Sequence, residues 1–243
     1  MTPIKVGVIG AAGRMGSEVC RAVDGDDDLK LVARVVRGDS LDVLTQAGTE
    51  VVVEFTTPKS VGDHVKWCID HDIHVVVGAT GLTAGDLSEI ETSLAGSKAN
   101  VFLAPNFAVG AVLMMAFAAR AASHFDTAEI VERHHERKLD APSGTALRTA
   151  RLMNKARGRP WSSAPAAAAP ERGGDVDGVR IHSLRVPGSV AHQEVILGAD
   201  GETLTIRHDS LDRSSFMPGV LLAIKNVESL SGLTVGLERL LDL

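Results

Sequence analysis

The chain has 243 residues, 44% apolar, 23% charged and 3% aromatic, with a formal net charge of −6. Such a chain is long enough for a full core resting on Val, Leu, Ile, Ala and Met, which excludes disorder as the default. An acidic balance with no extended Lys/Arg stripe argues against nucleic acid and anionic membrane as partners.

From the N-terminus, "IKVGVIG", "LKLVARVV", "EVVVEFT", "HVVVGAT" and "NVFLAP" are short β-branched runs, apolar on both faces, with "GSEVCRAV", "SVGDHVKWCI" and "TAGDLSEIETSL" as helical patterns between them. Strands of a parallel sheet covered by helices on both sides read in this way, so the pattern predicts a doubly wound α/β domain over residues 1–107. The first strand runs into "GAAGRMG", with Gly10, Gly13 and Gly16 opening a helix. Glycines there either close a tight turn and pack the helix, or let the backbone approach a pyrophosphate that meets the helix N-terminus; Arg14 could add a phosphate contact. "GATG" (78–81) and "APNFAVG" (104–110) follow later strands at the sheet edge where ligands sit in such folds, although each alone could be an ordinary connection.

Cys20 and Cys68 lie in helical segments with no CxxC spacing and no leader before the first strand, which predicts a reduced, cytoplasmic protein. "FAVGAVLMMAFAA" (107–119) is too short to cross a bilayer and predicts a buried helix over about 108–124. Beyond it the pattern changes. "AEIVERHH", "VRIHSLRV", "VAHQEVILGA" and "ETLTIRHDS" mix polar and apolar residues, with Asp200 and Gly201 as a hairpin turn, and predict a second α+β domain over 108–213 with a largely antiparallel or mixed sheet. Residues 157–178, rich in Pro, Ala and Gly, predict a long surface loop. Residues 214–243 return to a helical pattern and are expected to pack on the first domain.

"RHHERKLDAPSGTA" (133–146) gathers His134, His135 and Lys138 before a turn. An imidazole and an ammonium side by side can deliver a proton and hold an anion at neutral pH, though an isolated "HHERK" is also an ordinary solvated face. Ser143, Gly144 and Thr145 are expected to form the first turn of a helix ending at Gly158, with Pro142 at its entry; free N–H groups there suit a carboxylate. A metal on His134, His135 and Glu136 is disfavoured, because consecutive ligands on a strand diverge and Arg133, Arg137 and Lys138 repel a dication.

These motifs, with "GSVAHQEVILGADGETLTIRHDSLDRSSFMPGVLLA" downstream, resemble the bacterial dihydrodipicolinate reductase family over essentially the whole chain. The resemblance implies a Rossmann-like first domain, a second domain for substrate binding and oligomerisation, and a cytoplasmic homotetramer. It implies NAD(P)H-dependent reduction of a small cyclic dicarboxylate in diaminopimelate and lysine biosynthesis, by hydride transfer to C4 and protonation of the adjacent carbon. His134 would be the catalytic acid/base, Lys138 the proton donor, His135 a substrate contact, and Gly144 with Thr145, beside Ser143, the carboxylate clamp. Gly10, Ala11, Ala12, Gly13, Arg14 and Met15, with Gly78, Ala79 and Thr80 and with Ala104, Pro105, Asn106 and Phe107, would hold the dinucleotide.

Two positions depart from the family pattern. Ala79 stands where a threonine is usual, and Val36 where an acidic residue would serve the adenosine ribose. Arg37, assisted by Arg34, could instead pair with a 2′-phosphate, or Asp39 could swing in to the ribose; use of both NADH and NADPH is the expectation. Among rivals, a short-chain dehydrogenase is excluded because the chain has no tyrosine, and a thiol-dependent aldehyde dehydrogenase because neither cysteine lies in a candidate catalytic loop. A non-catalytic dinucleotide sensor would have no need of a proton donor.

Overall fold

Valine-rich strands set the first layer. The computed structural model describes residues 2–79, 81–162 and 170–243. Two units are resolved, Met1–Phe107 with Phe216–Leu243, and Ala108–Ser215. In the first, β1 (Ile4–Ile9), α1 (Arg14–Asp24), β2 (Leu29–Val35), α2 (Asp42–Gln46), β3 (Val51–Glu54), α3 (Val61–Asp70), β4 (His74–Val77), α4 (Ala84–Ser93) and β5 (Val101–Leu103) alternate. Val51, Val52, Val53, Val75, Val76 and Val77 are all buried, as both faces of a helix-covered parallel sheet require. Full burial of each such side chain is worth roughly 1.5–3 kcal/mol.

The second unit contains α5 (Val109–Ala121), β6 (Thr127–His134), α6 (Gly144–Arg157), β7 (Gly174–Val176), β8 (Val179–Arg185), β9 (Ala191–Ala199) and β10 (Glu202–Ser210). Its sheet runs β10-β9-β6-β8-β7, with β6 and β8 parallel and the other pairs antiparallel. Ile130, Ile181 and Val195 share a row across three strands and are buried, so alternate residues of β6 point into the core. α6 has the expected ends. Ser143 is its N-cap, accepting the Ala146 N–H at 3.2 Å, and Gly158 closes it at φ 65°.

The expected loop over 157–178 differs in part. Residues 163–169 lie outside the described set, but Gly174–Val176 pairs with β8 through Asp177 and Gly178, both at positive φ. The dipeptide "DG" was a hairpin signal hidden in a run that reads as irregular.

Returning to the first unit, the chain forms α7 (Met217–Asn226) and then β11 (Leu233–Val235), a strand where the pattern predicts only helix. β11 adds parallel to β5 and completes the order β11-β5-β4-β3-β1-β2. Among the described residues no helix is long and apolar enough to cross a membrane.

Candidate active site

At the C-terminal edge of the first sheet, β1 ends in the glycine turn. Gly10 sits at φ 84°, and its N–H and that of Ala11 both donate to the Val35 carbonyl, at 2.9 and 3.1 Å. A Cβ on Gly10 would lie 2.6 Å from the Phe55 carbonyl oxygen, and one on Gly16 would lie 2.1 Å from that of Gly10. Both reasons for glycine, the turn and the close helix packing, are therefore met. No side chain caps α1 at Gly13 and no acid occupies its first turn, so its positive end is open to an anion.

Three of the loops singled out above meet at Phe55, a residue the sequence did not single out. Its carbonyl abuts Gly10, its ring packs against Gly78, and the ring centroid lies 6.0 Å from that of Phe107. The N–H groups of Gly78 and Ala79 donate to the Glu54 carbonyl at 2.9 and 3.3 Å, which ties the loop after β4 to the end of β3. Arg14 and Pro105 are exposed, Met15 and Asn106 half-buried, and Ala11, Ala104 and Phe107 buried. Thr80 lies outside the described residues.

A cleft of about 750 Å³ brings Gly10, Ala12, Gly13 and Arg37 together with Lys59 and His64. Lys59 is a second cation that the strand pattern gave no reason to notice, being brought in by the loop after β3. Arg34 is not part of this cleft, since its guanidinium pairs with Asp24 at 2.8 Å. The floor is polar. Glu54 is fully buried, and its Oε1 accepts the Thr56 N–H at 3.2 Å, the Thr56 hydroxyl and Nδ1 of His64 at 3.1 Å.

In the second unit the "EIVERHH" strand carries the other constellation. Ala128, Ile130, Glu132 and His134 alternate onto one side of β6, and Glu132 is 0% exposed. Its Oε2 accepts His134 Nδ1 at 2.5 Å and Arg185 Nη1 at 3.0 Å. Its Oε1 accepts Arg185 Nη2 at 2.9 Å and the Ser143 N–H at 3.2 Å. Burial alone would raise this carboxyl's pKa, but the hydrogen bonds from His134 and Arg185 outweigh it and hold the group at about 2.

After β6 the chain turns, the Lys138 N–H donating to the His135 carbonyl at 3.1 Å. Lys138 Nζ pairs with Asp140 Oδ1 at 2.8 Å. Partial burial opposes ionisation of Asp140, yet the bond from Lys138 leaves its pKa below the ordinary value. Ser143 is buried with its hydroxyl spent on the helix cap, whereas Gly144 is exposed with open space where a Cβ would be. Thr145 is half-buried one residue into α6, and His135 is half-buried just past the strand. The arrangement can hold a proton at an imidazole, supply one from an ammonium, and present backbone N–H groups to a carboxylate.

Sequence reasoning missed Glu132 and Arg185. Glu132 left a signal: two-residue alternation puts it in line with Ala128 and Ile130, where a carboxylate must find partners. Among the described residues no group of three or more His, Cys, Asp or Glu side chains is placed to hold a metal ion.

Comparison with known proteins adds sequence and fold. A family profile described as "Dihydrodipicolinate reductase, N-terminus" matches residues 4–107, and one described as "Dihydrodipicolinate reductase, C-terminus" matches residues 110–241. The chain is 54% identical over 246 residues to a 4-hydroxy-tetrahydrodipicolinate reductase of Nocardia farcinica, with 99% of each chain covered. To a protein of the same name from Streptomyces griseus it is 53% identical over 249 residues, with 100% of each covered. The solved structure of dihydrodipicolinate reductase from Paenisporosarcina sp. TG-14, with dipicolinate bound, superposes with a TM-score of 0.88 at 35% identity, covering 98% of this chain and 99% of that one.

Proposed function

The chain belongs to the dihydrodipicolinate reductase family, and from that premise we propose that it reduces 4-hydroxy-tetrahydrodipicolinate to tetrahydrodipicolinate with either NADH or NADPH, by hydride transfer to C4 and protonation of the adjacent carbon. This is a step of diaminopimelate and lysine biosynthesis. A bound nicotinamide dinucleotide supplies the hydride. The protein's residues do the rest. Gly10 to Met15, Gly78 to Thr80 and Ala104 to Phe107 hold the dinucleotide, and the fit is supported by the uncapped N-terminus of α1, whose first turn carries no acid. Arg37, with Lys59 in the same cleft, receives the 2′-phosphate of NADPH.

The observation that carries the chemistry is the joining of His134 and the α6 N-terminus through one buried carboxylate. With Nδ1 turned to Glu132, His134 acts through Nε2, while Lys138 donates the proton to carbon and His135 contacts the substrate. The N–H groups of Gly144 and Thr145 clamp a substrate carboxylate, and the positive end of α6 favours that charge. The enzyme works in the cytoplasm as a homotetramer assembled through the sheet of the second unit.

Mixing the purified protein with NADH and freshly generated 4-hydroxy-tetrahydrodipicolinate tests the proposal. Substrate-dependent loss of NADH absorbance is expected, whereas NADH binding without turnover would make the protein a dinucleotide sensor instead.

A further inference from the structure

Glu132 occupies a core position. It continues the inward row of Ala128 and Ile130, yet it is an ionised carboxylate with no exposure. A buried ion pair is seldom the cheapest way to fill a core, since apolar residues of similar volume serve as well or better, so its presence calls for another role.

Its partner points to one. Arg185 spends all three guanidinium nitrogens here: Nη1 and Nη2 fork onto Glu132, Nε donates to the Lys138 carbonyl at 3.2 Å, and Nη2 also donates to the Asp140 carbonyl. The Glu132 carboxylate in turn holds the His134 ring and the N–H of Ser143, the N-cap of α6. One buried pair therefore sets the imidazole, the main chain of the lysine turn and the helix start in a common frame.

We propose that Glu132 and Arg185 are positioning residues, a clasp that locks His134 in the Nδ1–H tautomer and fixes the Lys138–Ser143 turn relative to it. A carboxylate only accepts, so Nδ1 must carry its hydrogen and Nε2 is left as the atom where a proton is given or taken. Removing a carboxylate that orients a catalytic imidazole in this way can cost as much as about 10⁴-fold in kcat. The clasp rests on His134 being the acid/base of the proposed reaction.

The test uses the full chain and three variants, Glu132→Gln, Arg185→Lys and His134→Gln, with ring ¹⁵N resonances of His134, NADH affinity and kcat as readouts. In the wild type the neutral His134 ring is expected as the Nδ1–H tautomer. Glu132→Gln should lose that preference and lower kcat about tenfold to a thousandfold with NADH affinity within twofold. Arg185→Lys, unable to fork, should lower kcat less and raise KM for the dicarboxylate. An Nε2–H tautomer in the wild type overturns the clasp without any variant. If His134→Gln loses activity while Glu132→Gln keeps it, the clasp fails and the acid/base role of His134 stands. If His134→Gln keeps wild-type kcat, both fail.

Discussion

Asp39 Oδ2 accepts the Val36 N–H at 2.8 Å, closing the turn that follows β2. One oxygen of that carboxylate is held by its own backbone, and Arg37 lines the cleft on the same turn, with Lys59 brought in by the loop after β3. Asp39 lines the same cleft, and the two cations beside it are the groups that would receive a phosphate. Arg37→Ala is expected to weaken NADPH by about 1.5–3 kcal/mol, roughly tenfold to a hundredfold, while leaving NADH nearly untouched. Comparing kcat/KM for both cofactors decides it; a strong wild-type preference for NADH, or equal losses in the variant, sinks the assignment.

If His134 and Lys138 carry the proton as proposed, their loss should appear in the chemical step. His134→Gln and Lys138→Ala are each expected to lower kcat about 10²- to 10⁴-fold with NADH binding nearly intact. Steady-state kinetics beside a fluorescence titration of NADH separates the two effects. A variant that keeps wild-type kcat removes that residue from the chemistry.

At the start of α6 the cap and the clamp can be told apart. Ser143 caps the helix from a buried position, so Ser143→Ala should cost about 1 kcal/mol of stability, seen as a lower Tm. Thr145→Val keeps the shape, and should instead weaken pyridine-2,6-dicarboxylate by about 1.5–3 kcal/mol if the hydroxyl bonds the anion, with little change for NADH. Unchanged affinity for the dicarboxylate would make this turn a helix start and nothing more.

Glu132 also predicts the acid limb of stability. Its folded pKa, about 2, lies below the ordinary 4.5, so its contribution is fully present above pH 4.5 and is lost as pH falls from there toward 2. The contribution is on the order of 3 kcal/mol. Urea denaturation between pH 3 and pH 6 should show a flatter profile for Glu132→Gln than for the wild type. Parallel profiles would mean that the carboxylate is not held as its hydrogen bonds indicate.

Much of this protein is written locally, and local physics explains why. A run such as "VVVEF" needs only its own β-branched, two-faced pattern to be read as a buried parallel strand, a glycine turn announces itself beside the strand it ends, and Ser143 and Gly158 mark the ends of α6 through their own backbone preferences. The signature from Glu129 to Ala146 likewise lies in one stretch of chain. What tertiary structure decided is who meets whom. Alternation along β6 shows that Glu132 points inward, but not that the arginine awaiting it stands 53 residues away on β8. Phe55 and Lys59 gained their places because loops after different strands converge at one sheet edge, where Asp39 also meets the Val36 N–H. The short strand β11 has too few residues to show a period, and only the open edge of β5 makes it a strand.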